Sequence, residues 1–380
     1  MSDPSSPHII LAITLAKPGG TTSLVFAYAF WLKQRGFKVT LLAGEGAWLF
    51  EEAAKVGIPC LRVPWMQREI RPWFDLPAIF SLAKLLRTLK PDVVHLNSSK
   101  MGVIGSLSAR LAGVPRVVYC IGGWAFLESI APWKRRVYAV AERFTARFKD
   151  VIICLHPGDK QIAEEQGIRP REEILVIPNG VELQALDHAR LNRIDARQAL
   201  GLPQDGFVFG TIANFYPAKN LPSYIRAVAP LLKQSPSASL VLIGDGPERP
   251  QLEQAIRETE TAEQIVLTGA RAQAHSFLAA FDVFVLPSTK EGMPFSLLEA
   301  MAARLPCVVT RVGAHAWMLD GTGSSLVPPN DAEALQRALS EALQQRGRLI
   351  EVGEANRTVV ERRFPLETTF EAQLNACLPK

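Results

Sequence analysis

This 380-residue sequence predicts an α/β protein built from two doubly wound halves, and three observations carry that expectation. Short β-branched apolar runs alternate with helical patterns from His8 onward, and the alternation restarts at Phe207. Strands joined by helical crossovers lie parallel, with helices covering both faces of the sheet. A chain of 380 residues also exceeds one ordinary core and fits two domains. Between the two alternations lies the turn-forming stretch Pro203-Gln204-Asp205-Gly206. The expected division is a first domain over residues 1–186, a linker over 187–206 and a second domain over 207–380, with the last helix able to pack back on the first domain.

In chain order, His8–Leu15 (HIILAITL) reads as a buried strand, followed by a turn through Gly19 and Gly20 and a helix over Ser23–Arg35. Such a strand-turn-helix unit places a phosphate or sugar at a helix start, although a glycine pair alone fits an empty tight turn equally well. Lys38–Ala43 is the next strand and Ala47–Val56 the next helix. Asp92–Leu96 and Arg116–Ile121 are strands flanking a helix near Gly102–Ala112, and Val151–Leu155 and Ile174–Ile177 close the first half. The second half reads as strands at Phe207–Ala213, Ser239–Ile243, Ile265–Gly269, Val283–Leu286, Cys307–Thr310 and Ser325–Val327, with a helix over Leu221–Gln234. No fixed-period repeat interrupts this order.

Composition narrows the class. Charged residues make up 21% and apolar ones 48%, as in a globular protein. No run approaches the roughly 18 apolar residues of a membrane span. Met1–His8 is polar, so no secretory signal is expected and the cytoplasm is the expected location. Five scattered cysteines, an odd number, fit buried thiols better than disulfides or a metal site. The net charge of +5 is uneven: Met1–Leu186 holds 23 basic and 16 acidic residues, leaving 19 and 21 for the remainder. A basic first half suggests an anionic partner there. No nucleic-acid partner is expected.

The richest stretch is Val283–Pro306. Its strand is followed by a loop carrying Glu291 and by a helix expected to begin near Pro294, with Glu299 inside it. A helix start attracts phosphate through its free N–H groups and dipole. Carboxylates accept from paired hydroxyls, so Glu299 could hold a ribose diol and Glu291 a second sugar, with a diphosphate between them. Taken alone, these residues fit a surface loop and an amphipathic helix as well. Lys219, in NFYPAKN, lies between a strand and a helix, where an ammonium can reach such a phosphate or merely sit in solvent.

The segment EGMPFSLLEAMAARLPCVVT resembles the E-x7-E segment of the retaining glycosyltransferases of family GT4, and PDVVHLNSSKMGVIGSLSARLAGVPRVVYCIGGWAF resembles another segment of those enzymes. The resemblance covers nearly the whole chain, most closely Asp92–Phe126 and Phe207–Pro329. It implies the GT-B fold, two Rossmann-like domains facing across a cleft, with the acceptor on the first and the nucleotide sugar on the second. By the same resemblance Glu291 meets the donor sugar and Glu299 the ribose. Lys219 and the amides near Phe295, Ser296 and Leu297 stabilise the leaving diphosphate, and Gly19 and Gly20 let backbone amides approach the donor. The donor is expected to be UDP- or GDP-linked, with no cofactor and no metal, in keeping with the lack of an Asp-x-Asp motif. Four positions depart from the family pattern: Asn214 stands for an arginine, Gly122 for a histidine, Ala314 for a glycine and Trp317 for a glutamate.

The resemblance implies a front-face transfer of sugar to a glycan or lipid-linked acceptor in polysaccharide or glycolipid synthesis. The second reading is a GT-B protein that binds nucleotide sugar or glycan without turnover. A dinucleotide dehydrogenase would share the opening unit but lacks G-x-G-x-x-G after His8–Leu15. His95, His156 and His315 are given no chemical role. Finally, Arg62–Phe74 and Trp133–Lys149 interleave basic and aromatic residues. They suit either docking on the inner face of an anionic membrane or a core helix with solvated cations.

Overall fold

The computed structural model describes residues 6–378 apart from 68, 70 and 129. The chain divides into two compact units, Met1–Pro178 with Thr368–Lys380, and Asn179–Glu367. The division therefore falls at Pro178, upstream of the expected Leu186.

In the first unit the strands are β1 (His8–Leu15), β2 (Lys38–Glu45), β3 (Cys60–Arg62), β4 (Val93–Asn97), β5 (Arg116–Cys120), β6 (Val151–Cys154) and β7 (Glu173–Val176). They form one parallel sheet in the order β3-β2-β1-β4-β5-β6-β7. Seven of the eight β1 residues are buried, because helices cover both faces of a central parallel strand. Strand order reverses between β1 and β4, which opens a crevice at their carboxyl ends, the usual place for a ligand in such sheets. From Thr368 the C-terminal helix belongs to this unit: Phe370 packs on Tyr28 at 5.1 Å, and Arg116 donates through Nε to the Ala376 carbonyl at 2.9 Å while its fork grips Glu172.

The second unit repeats the plan with β8 (Val208–Ile212), β9 (Ser239–Ile243), β10 (Ile265–Leu267), β11 (Val283–Leu286), β12 (Cys307–Thr310) and β13 (Ser325–Val327). Its parallel order is β10-β9-β8-β11-β12-β13, and the reversal falls between β8 and β11.

Several expectations are corrected. Residues 187–206 are no free linker: helices Leu183–Ala189 and Arg193–Ala199 belong to the second unit, and Arg197 is wholly buried. Its guanidinium meets the Asp282 carboxylate at 2.9 Å and the carbonyls of Ala280 and Gln204 at 3.1 and 2.7 Å, so a charge that reads as surface is satisfied inside. The first helix starts at Gly20, not Ser23. Pro294 precedes the helix Phe295–Ala302 as its cap, with extended backbone angles, and is not its first residue. Helix Pro72–Leu89 had no sequence-based expectation, because Trp73, Leu76 and Phe80 give it an apolar outer face that blurs the amphipathic pattern.

Candidate active site

The second unit brings Lys219 and Glu291 together at its switch point. Lys219 ends a 3-10 turn (Pro217–Lys219) on the loop after β8, and Glu291 lies on the loop after β11. The two loops are sewn by the Thr289 N–H, which donates to the Ala218 carbonyl at 2.8 Å. Lys219 Nζ donates to Glu291 Oε1 at 2.6 Å, and both side chains are mostly buried. Ser288 Oγ, fully buried, donates to the same Oε1 at 2.6 Å. Both bonds fall on one oxygen, which leaves Glu291 Oε2 for a hydroxyl. A lysine holds three N–H donors, so Lys219 can serve Glu291 and a phosphate oxygen at once.

Behind this pair runs a polar chain of which the sequence singled out only His315, and that without a role. Thr310 Oγ1 donates to the Ser288 carbonyl at 2.5 Å, and the Thr310 carbonyl accepts from His315 Nδ1 at 2.7 Å. That bond fixes the His315 tautomer and leaves Nε2 buried without a partner among the described residues. Burial holds the His315 imidazole below its ordinary value, so it is neutral near pH 7.

The Glu291 loop is also gripped from two sides. Gly313, at φ +51°, lies so close that a Cβ would come within 2.3 Å of the Glu291 carbonyl oxygen, and the Ala314 N–H donates to the Gly292 carbonyl at 2.9 Å. From the other side Asn179 Nδ2 donates to the Met293 carbonyl at 3.0 Å. Asn179 carried no site expectation from the sequence, where Pro178-Asn179-Gly180 only follows an apolar strand. Asn179→Ala is expected to cost about 1–3 kcal/mol, because a buried carbonyl loses its donor. It should also raise KM for the donor more than it lowers kcat, since the loop's position and not its chemistry is lost. Melting and steady-state rates measure both.

Glu299 stands apart from that pair. On helix Phe295–Ala302 it lines a small cavity with Leu186, Asp187, Arg190, His275 and Leu278. Burial, with no cation paired to it among the described residues, pushes its carboxyl up to about 7. The helix start lies between the two carboxylates: the Leu298 N–H makes the first bond back to Pro294, so the amides of Phe295, Ser296 and Leu297 precede the helical ladder.

Asn214 is exposed on the loop after β8. In the first unit Gly19 caps helix Gly20–Gln34, and a Cβ on it would meet nothing within 4 Å, so open space surrounds it. Gly122 is likewise open. Ser98, at φ +79° and bonded to Thr14 Oγ1 at 2.6 Å, marks the switch point of that unit and was missed in the sequence. His95 is buried beside Asn97, and Trp317 carries Arg363 over its ring at 4.3 Å, so the residue replacing the family's acid is clamped by a cation.

Comparison with known proteins adds to this geometry. Residues 19–180 match the family profile "Glycosyl transferase 4-like domain" and residues 206–345 match "Glycosyl transferases group 1". The UDP-Gal:alpha-D-GlcNAc-diphosphoundecaprenol alpha-1,3-galactosyltransferase of Escherichia coli is 36% identical over 283 residues, 73% of each chain. The capsular polysaccharide biosynthesis glycosyltransferase CapM of Staphylococcus aureus is 22% identical over 90% of this chain and 89% of its own. Among solved structures, Anabaena HepE in complex with UDP-glucose gives a TM-score of 0.80 at 20% identity, over 98% of this chain and 100% of that one. Sucrose-phosphate synthase from Thermosynechococcus elongatus gives 0.81 at 18% identity, over 97% and 98%. These likenesses carry the fold, two Rossmann-like halves of the GT-B kind.

Proposed function

The chain belongs to the group 1 glycosyltransferases, and on that premise we propose that it is a retaining enzyme moving a hexose-type sugar from a nucleoside diphosphate to a lipid-linked glycan in cell-surface polysaccharide or glycolipid synthesis. The observation that carries this reading is the Lys219–Glu291 pair at the switch point of the second sheet, beside a helix start. Glu291 Oε2 takes a sugar hydroxyl, Lys219 and the amides of Ser296 and Leu297 take the β-phosphate, and Glu299 takes the ribose. UDP is favoured over GDP because the E. coli relative is named for UDP-Gal and HepE binds UDP-glucose. The acceptor class rests on the same relative, whose named acceptor is a diphosphoundecaprenol-linked GlcNAc.

In the transfer, the bond from sugar C1 to the β-phosphate oxygen breaks while the acceptor oxygen bonds C1 from the same face. The departing phosphate oxygen takes the acceptor's proton, so the charge to be stabilised grows on that phosphate. Lys219 and the helix amides face it, and such preorganised donors supply the largest part of catalysis. Glu291 orients the sugar and is no nucleophile, since its Oε1 already accepts from a cation and a hydroxyl.

The experiment is turnover of UDP-sugars with a short-chain diphosphate-linked GlcNAc, following UDP release and the anomeric configuration of the product. An α product from an α donor is expected. Tight donor binding with no UDP release on any acceptor tried would favour the binding-only reading. Because Lys219 and the helix start supply the positive field, a chelator is expected to leave the rate unchanged. Loss of activity with chelator, restored by Mg²⁺ or Mn²⁺, would contradict the metal-independent part. No helix among the described residues is long and apolar enough to cross a membrane, so a lipid-linked acceptor would be met at the bilayer surface.

A further inference from the structure

We propose that the first unit carries a bilayer-docking face built from two helices, Pro72–Leu89 and Pro132–Ala146, and that its partner is an anionic phospholipid surface. Both helices pack on Ser99–Ala112, one fastened by Ser108 Oγ donating to the Ile79 carbonyl at 3.0 Å. Their inner residues, among them Ala78, Leu82, Leu86 and Ala146, belong to the core of the unit. Their outer faces are apolar too. Trp73, Leu76 and Phe80 are 79%, 59% and 61% exposed, and Trp133, Val137, Val140 and Phe144 are 64%, 54%, 58% and 47% exposed. The second set falls at intervals of four, three and four, one continuous stripe along a helix. Of fifteen large apolar side chains exposed among the described residues, seven lie on these two helices and three in the entire second unit. Exposed apolar surface concentrated in this way marks an interaction site.

Charge selects the partner. Lys134, Arg135, Arg136, Arg143 and Arg147 are all exposed on helix Pro132–Ala146 or at its end. The helix's one acid, Glu142, points inward, bonded to the fully buried Lys149 at 2.8 Å and to Tyr119 at 3.2 Å. The outer face therefore holds cations only. On the other helix Lys84 and Arg87 are exposed, and its acid Asp75 is paired with Lys100 at 2.6 Å. Apolar side chains ringed by cations with no carboxylate partner among the described residues fit acyl chains beneath anionic headgroups, whereas a protein groove would have to supply matching acids at each position. Lys149 and Tyr138, expected on this surface from sequence, belong to the interior, and Arg68 lies outside the described residues.

The inference deepens the proposed function, since a docked enzyme meets a lipid-linked acceptor in the plane of the bilayer, and its test separates the two. The full chain is sedimented with phosphatidylcholine vesicles with and without phosphatidylglycerol, at low and high salt. Binding at low salt is expected to be far stronger with phosphatidylglycerol than without it, and Arg135→Ser with Arg136→Ser should weaken it about thirtyfold at low salt, about fivefold for each cation removed. Trp133→Ser with Val140→Ser, and Trp73→Ser with Phe80→Ser, should each abolish the part that survives high salt, because inserted side chains are not screened. All variants should melt as wild type and transfer sugar normally to a soluble short-chain acceptor. Equal binding to both vesicles at low salt, unaltered binding by the variants, or self-association of the wild type in place of vesicle binding overturns the docking face. Vesicle binding without transfer supports docking and counts against the proposed function alone.

Discussion

Lys219→Ala is expected to lower kcat about 10²- to 10³-fold, the loss found when one preorganised donor to a developing oxyanion is removed. The protein should stay folded. Deletion of the cation leaves Glu291 in a mostly buried place with only Ser288 as donor, a cost of about 1–3 kcal/mol that a domain-sized unit tolerates. KM for the donor should change much less than kcat, because the lysine's attraction grows as charge moves onto the β-phosphate. Lys219→Arg keeps the charge but swaps a compact ammonium for a planar fork, so partial activity is expected. A folded Lys219→Ala protein with wild-type kcat would remove that residue from the reaction and with it the reason for expecting metal independence.

How much of this was legible in the sequence depends on where the physical signal lies. Strand β1 was plain because a central parallel strand is apolar on both faces, and β11 was plain for the same reason. Glu291, Glu299 and Lys219 stood out only through the resemblance of their segments to a known family, because taken alone they fit a surface loop, an amphipathic helix and a solvated lysine. Helix Pro72–Leu89 was not legible, since its outer face carries Trp73, Leu76 and Phe80 where solvent-facing residues are usually polar. Arg197 gave no signal either, as a buried guanidinium looks like a surface charge until Asp282 and the carbonyls of Pro203, Gln204, Gly206 and Ala280 are seen around it. Ser288 and Thr310 escaped notice, and His315 was named without a role, because their bonds run to residues of neighbouring loops or strands that the sequence does not announce.

The separation of the two carboxylates has a consequence for how the site divides its labour. Glu291 is held in place by a cation and a hydroxyl, both on one carboxylate oxygen, so its other oxygen is already aimed before any ligand binds. Glu299 has no such support, and burial alone sets its behaviour. On the proposed reading, one carboxylate is thus positioned before the donor arrives, and the other would acquire its hydrogen bonds from the donor itself.

Glu299→Gln is accordingly expected to weaken nucleotide binding about 10- to 100-fold while making the free protein more stable at pH 8. The affinity loss follows from replacing two charge-assisted bonds to a ribose diol, each worth about 1.5–3 kcal/mol, with weaker amide contacts. The stability gain follows from burial. In the folded protein the Glu299 carboxyl is raised from its ordinary 4.5 to about 7, so ionising it costs more folded than unfolded. A raised folded value means stability that is complete below pH 4.5 and lost as pH rises through 7, a loss of up to about 3 kcal/mol at 1.36 kcal/mol per unit. Glutamine carries no such burden, and the difference between variant and wild type should vanish near pH 4. Of the other groups lining the cavity, His275 has its imidazole lowered by burial, and Arg357 holds Asp187 below the ordinary carboxylate value. Wild-type affinity for UDP should fall as pH drops below about 7, since the diol favours the ionised form, whereas the glutamine variant should bind with little pH dependence. Calorimetric titration with UDP and melting curves from about pH 4 to about pH 8 would read both. Unchanged UDP affinity in a folded variant would take Glu299 out of the nucleotide site, and a lower melting temperature than wild type at pH 8 would show that the carboxyl is paired in a way its burial does not reveal.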